Sequence, residues 1–149
     1  MKKPLALLVM AVMTLSQALP ALGSAKHFRS SHEHFTKYAA MASDLFLSTD
    51  DPAEKNTLGL LAASSSFYAE RAYLVMQLTD ILENMTEAAD IEYVEKRVQA
   101  IKDFVLEVLR PEIKRVGDLT MGQKNPDIKS LGNLIVNELR VFERNTANL

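Results

Sequence analysis

Ile91, Val94, Val98, Ile101, Val105 and Val108 recur at intervals of 3, 4, 3, 4 and 3. Side chains at this spacing line one side of an α-helix. Strict alternation, which a half-buried strand needs, is sustained nowhere after residue 25. Beyond that point only Gly59, Gly117, Gly122 and Gly132, with Pro52, Pro111 and Pro126, punctuate the chain. A sequence so patterned buries its apolar side chains by packing helix on helix.

Four helical segments follow. The first runs from about His27 to Ser48, with Phe28, Phe35 and Ala42 seven apart, and Ser31, Tyr38 and Leu45 beside them. Met41 and Phe46 widen that stripe. The second opens on Asp51 as a cap, Pro52 at the first helical position and Glu54 at the third, and ends near Met85. Its Leu61, Tyr68, Val75 and Leu82 form one stripe, and Leu60, Phe67, Leu74 and Ile81 an adjoining one. An arc that wide predicts contact with two or more neighbours.

The third segment runs from Thr86 or Asp90 to about Leu119, and its spacing is the cleanest heptad pattern in the chain. Pro111 interrupts it, and proline inside a helix costs about 3 kcal/mol, so a kink is expected at Arg110-Pro111. The fourth is announced by Asn125-Pro126-Asp127, carries Ile128, Leu131, Ile135 and Phe142, and frays after Arg144. Three short connections join these segments. The expected fold is all-α, an antiparallel up-down four-helix bundle; a helical hairpin that dimerises is the alternative. Gly132 and the run Ala62-Ala63-Ser64-Ser65-Ser66 predict close helix approach.

The first residues read differently. Lys2 and Lys3 precede an apolar run from Leu5 to Leu15, then Pro20 and the small residues Gly23, Ser24 and Ala25. This is the anatomy of a secretory leader, with cleavage expected after Ala25. The run is shorter than the ~20 apolar residues of a spanning helix, so no stable membrane insertion is expected after cleavage. Residues 1–25 are thus a predicted signal peptide and 26–149 a helical domain. The paired lysines and short run suggest a bacterial protein, periplasmic or secreted.

The whole chain has 17 Lys and Arg against 19 Asp and Glu. Without the two leader lysines the balance is 15 against 19, a net charge of −4. Nucleic-acid binding, which needs a basic face, is not expected. The chain has no cysteine, so disulfides, thiolate catalysis and iron–sulfur clusters have no sulfur to use.

All three histidines, His27, His32 and His34, lie in the first segment. His27 and His34 share a face but stand about 10.5 Å apart along the axis, and His32 and His34 point about 200° apart. No pair has the spacing that puts two imidazoles on one metal. Histidine is missing from the other segments, and so are Glu-x-x-His, His-Glu-x-x-His and a Gly-rich phosphate loop. No cofactor is expected. Met41, Met76, Met85 and Met121 read as packing residues.

Charge is the uneven feature. From Ala72 to Glu95 there are six acids and no base, and Lys96, Arg97, Lys102, Arg110, Lys114 and Arg115 follow. Acids at a helix start and bases at its end complement the helix dipole, which accounts for the third segment. It does not account for Asp80 and Glu83, near the end of the second. Asp80, Glu83, Glu87 and Asp90 are therefore the candidate partner surface.

The expected function is binding, to another protein of the cell envelope. One alternative is a small-ligand or metal carrier, using the bundle interior or the mature amino terminus. There Ala25-Lys26-His27 would offer nitrogen ligands to Cu(II) or Ni(II) if the cut fell after Ser24. A second is an enzyme using carboxylates, for which no particular pair is selected. An oligomer is compatible with all three.

Overall fold

The computed structural model describes residues 25–149. They form four helices and no strand: α1 (Ala25–Ser48), α2 (Pro52–Asn84), α3 (Ala88–Met121) and α4 (Pro126–Ala147). The leader assigned to residues 1–25 lies, apart from Ala25, outside the described residues. No described helix is long and apolar enough to cross a membrane.

The helix starts follow the local chemistry. Asp51 accepts from the backbone N–H groups of Ala53 and Glu54 at 2.7 and 3.1 Å. Asn125 accepts from Asp127 N–H at 3.0 Å. Pro52 and Pro126 each follow their cap, where the missing N–H is not needed. Pro111 does not divide α3: the helix continues through it to Met121. Pro111 and Glu107, whose carbonyl it leaves without a donor, are both exposed, so solvent rather than the core faces the gap. The fourth helix also outlasts its expected end, continuing past Arg144 to Ala147.

The chain is all-α, and its packing is consistent with a four-helix bundle. The closest pairings are α1 with α2 and α3 with α4, while α1 with α4 and α2 with α3 pack less extensively. Two tight hairpins thus lie side by side. Their shared centre is aromatic: Phe28 and Phe35 each meet the Phe142 ring edge-on at 6.0 Å, and Tyr68 lies 5.9 Å from Phe35. Leu58, Leu61, Leu109, Val116, Ile135 and Leu139 extend the core along the axis.

Burial corrects the stripes in detail. On α2 the inward positions are Leu58, Leu61, Ser65, Tyr68, Ala72, Val75 and Thr79, a 3-4 pattern that two polar residues hide in the sequence. The adjoining stripe stays at the surface: Leu74 and Ile81 are exposed, and Leu60 and Phe67 only half-buried. On α3 the buried row is Val94, Val98, Val105, Leu109, Val116 and Thr120. Val105 follows Val94, and Val116 follows Val105, by eleven residues, a period close to that of a straight helix. The expected heptad therefore drifts off the core, leaving Val108 37% exposed while Leu109 is fully buried. Phe46 is likewise exposed.

Gly132 makes the expected close approach. A Cβ there would come within 2.8 and 2.9 Å of Thr120 Cγ2 and Cβ, and nearer still to its hydroxyl oxygen. The turns at that end are tied together by Glu54, which accepts from Thr49 Oγ1 at 2.6 Å and from Asn125 Nδ2 at 3.2 Å.

Candidate functional site

The opposite end of the molecule holds the acidic turn. α2 stops at Asn84, residues 85–87 cross over, and α3 starts at Ala88. Asp80, Glu83, Glu87 and Asp90 are all exposed there, so the fold brings the four candidate residues to one end. Their roles differ. Glu83 Oε1 accepts from the backbone nitrogen of Ala25 at 3.1 Å. The start of α1 lies against the end of α2, and Glu83 serves one of the N–H groups a helix start leaves without a partner. That explains an acid near the C-terminus of its own helix. Asp90 sits in the first turn of α3, where the helix dipole favours a negative charge. Glu87 occupies the cap position of α3 without a side-chain hydrogen bond. Asp80 contributes its backbone carbonyl to Asn84 Nδ2 at 2.7 Å.

Beside this turn is a groove of about 600 Å³. Its apolar lining is Leu82, Ile91, Val98 and Leu149, and Glu92, Glu95, Lys96 and Gln99 complete it. Glu92 pairs with Lys96 at 2.8 Å. Both side chains are well exposed, so the pair adds little to stability.

The histidines diverge as their spacing requires. His32 Nδ1 lies 2.9 Å from the Ala69 carbonyl on α2, an acceptor only, so the ring nitrogen donates. His34 Nδ1 lies 2.8 Å from Glu138 Oε2 on α4. Glu138 is 7% exposed and also accepts from Ser31 Oγ at 2.7 Å. Its charge, after the effect of burial, pushes the Tyr38 hydroxyl above its ordinary pKa. The serine here bonds the carboxylate rather than the imidazole, so the trio lacks the nucleophile–base contact of a hydrolase. The three residues fasten α1 to α4.

A second cluster fastens α2 to α3. Ser64 Oγ donates to Glu112 Oε1 at 2.6 Å, and Arg115 grips the same carboxylate through Nε and a terminal nitrogen at 2.7 and 2.6 Å. Burial pushes the Glu112 carboxyl up, but the bonds from Arg115 and Ser64 outweigh it and hold the group below its ordinary range. Burial, and then the nearby Glu112 charge, raise the Tyr68 hydroxyl far above its ordinary value.

Neither glutamate stood out in the sequence. A signal existed for Glu138, which occupies the place between Ile135 and Phe142 where the 4-3-4 spacing calls for an apolar residue. Among the described residues, no group of three or more His, Asp or Glu side chains is placed to hold a metal ion. Ala25, Lys26 and His27 form the opening turn of α1, with the Ala25 nitrogen turned to Glu83.

Compared with known proteins, the chain matches no family model, no curated sequence and no solved structure.

Proposed function

We propose that this is an exported bacterial protein that acts by binding another protein of the cell envelope. Residues 1–25 serve as a signal peptide, and the remainder works in the periplasm or the medium as an antiparallel up-down four-helix bundle. The observation that carries the binding reading is the exposed gathering of Asp80, Glu83, Glu87 and Asp90 at one end, in a stretch with no base from Ala72 to Glu95. Of the four, Glu83 and Asp90 answer to a nearby helix start. Glu87, at the cap position of α3, stands where the helix dipole also favours an acid, and Asp80 adds like charge that no helix start calls for. Such a surface raises the local concentration of a basic partner and speeds its capture.

The test is quantitative capture from the native envelope fraction, with the exported protein and its Glu87→Lys/Asp90→Lys variant as paired baits. Glu83 is left intact because α1 uses it. The expected result is one partner whose recovery falls about tenfold with the variant at low ionic strength, the range over which paired surface charges alter association. Equal recovery with both baits overturns the assignment of the acidic end as the binding surface.

A further inference from the structure

Gly132 brings the start of α4 close to Thr120 of α3. On the other flank of α4, toward α1, the two hairpins leave a groove of about 420 Å³. It lies at the end of the molecule away from the acidic turn. Met41 and Leu45 of α1 and Leu131 and Leu134 of α4 form its apolar wall, and Leu134 is 40% exposed. Asp44, Asp127 and Ser130 supply the polar groups, so the lining holds two acids and no base.

Asp127 has a structural use, because it stands in the first turn of α4, where the helix dipole favours an acid. Asp44 has none. It lies one turn before the end of α1 at Ser48, where the dipole favours a cation, and the last turn of α1 carries no basic residue. Neither carboxylate has an ion-pair or hydrogen-bond partner among the described residues. The nearby bases do not fill that place. Lys37 shares the face of α1 but stands about 10.5 Å from Asp44 along the axis, outside the lining. Lys129 points about 200° away from Asp127 around α4. Lys55 lies over the Phe46 ring at 5.6 Å, and Lys124, in the turn before α4, is also outside the lining.

We propose that this groove binds a small apolar ammonium compound, a primary amine on an alkyl chain of about six carbons, a size that suits the volumes of small-ligand sites. The chain covers Met41 and the three leucines. An ammonium has three donors and no acceptor, and the oxygens of Asp44, Asp127 and Ser130 line the groove as acceptors. Its charge also meets the negative end of the α1 dipole. A carboxylate on the same chain would face two acids, so the lining selects the sign of the ligand. The four apolar side chains supply the attraction, and Asp44 gains the partner that the fold does not give it.

Titration of the exported protein with hexylammonium, followed by backbone amide NMR, tests this. Hexanoate and hexanol serve as the anionic and neutral probes of equal length. The expected result is millimolar binding of hexylammonium, within reach of so small a ligand, with shifts confined to the end of α1 and the start of α4. Hexanoate should give no such shifts, and hexanol weaker ones. Each added methylene should tighten binding about two- to fourfold, as burial of one CH₂ allows. Asp44→Asn should weaken it about two- to fivefold, the range of an exposed charge pair. Leu134→Lys, which sets a fixed ammonium in the groove, should abolish it. Asp44 and Leu134 are both exposed, and unchanged helical circular dichroism separates a lost site from a lost fold. Absence of shifts in the groove, equal binding of hexanoate, or indifference to both variants overturns the inference. So does tighter binding of a Leu-Lys-Leu peptide than of hexylammonium, which would give the groove to a protein segment instead. None of these outcomes bears on the acidic-end assignment, whose variants and readout are separate.

Discussion

Ser31 Oγ donates to Glu138 Oε1 at 2.7 Å, from α1 to α4. Ser64 and Glu112 repeat the arrangement at 2.6 Å between α2 and α3. In each pair the serine comes from the first hairpin and the glutamate from the second. A basic side chain completes each carboxylate: His34 on Glu138 and Arg115 on Glu112. A carboxylate taken out of water is costly unless hydrogen-bonded and paired. The hairpins are therefore held not only by hydrocarbon but by two polar fasteners that must meet in register.

The fasteners can be measured by a double-mutant cycle. Ser31→Ala leaves Glu138 short of one donor and should cost about 1–3 kcal/mol in urea unfolding. Glu138→Leu, which removes the need for that donor, should make the further loss of Ser31 almost free. The expected coupling is about 0.5–3 kcal/mol. Strict additivity would mean that the Ser31–Glu138 bond adds nothing.

Two glycines should respond oppositely to alanine. A Cβ at Gly59 meets nothing within 4 Å, so Gly59→Ala should stabilise α2 by about 0.5–1 kcal/mol through helix propensity and a less flexible unfolded chain. Gly132→Ala drives a methyl into Thr120, which is buried and bound to the Val116 carbonyl. Crowding of this kind costs about 1–3 kcal/mol, which exceeds the propensity gain. Thermal unfolding should show the melting temperature rising for the first variant and falling for the second.

Stability should fall on two pH flanks. Glu112 is held below its ordinary pKa of 4.5, so the folded state binds its proton less readily than the unfolded state. Its contribution is present above that value and lost as pH falls through the lower folded pKa. Tyr68 is raised above its ordinary value of 10.0, so its contribution is complete below pH 10.0 and lost as pH rises beyond it. Glu112→Gln should flatten the acid limb of a stability–pH curve, and Tyr68→Phe the alkaline limb. An acid limb unchanged by Glu112→Gln would place the titrating group elsewhere.

Much of the architecture was legible in particular residues. Asp51-Pro52 and Asn125-Pro126 start their helices where their chemistry says they should. Phe28, Phe35, Leu61, Tyr68 and Phe142 reach the core as their spacing predicts. The acidic end was legible as well, because Asp80 and Asp90 flank one short crossover. The uses of the individual acids were not: Glu83 answers to Ala25, 58 residues away, and no local window contains both.

By itself the sequence determined the helices, their starts and the close approach at Gly132. These depend on spacing, on caps and on the bare backbone of one residue, all of which are local. Only the tertiary structure decided which of the two apolar stripes on α2 goes inward, and that Leu109 displaces Val108 in the core. It also decided that Glu112 and Glu138 are fasteners rather than surface charges. Burial is a relation between helices, set by how far each stripe turns along its axis and which neighbour meets it. A side chain's environment therefore exists only once the hairpins have come together.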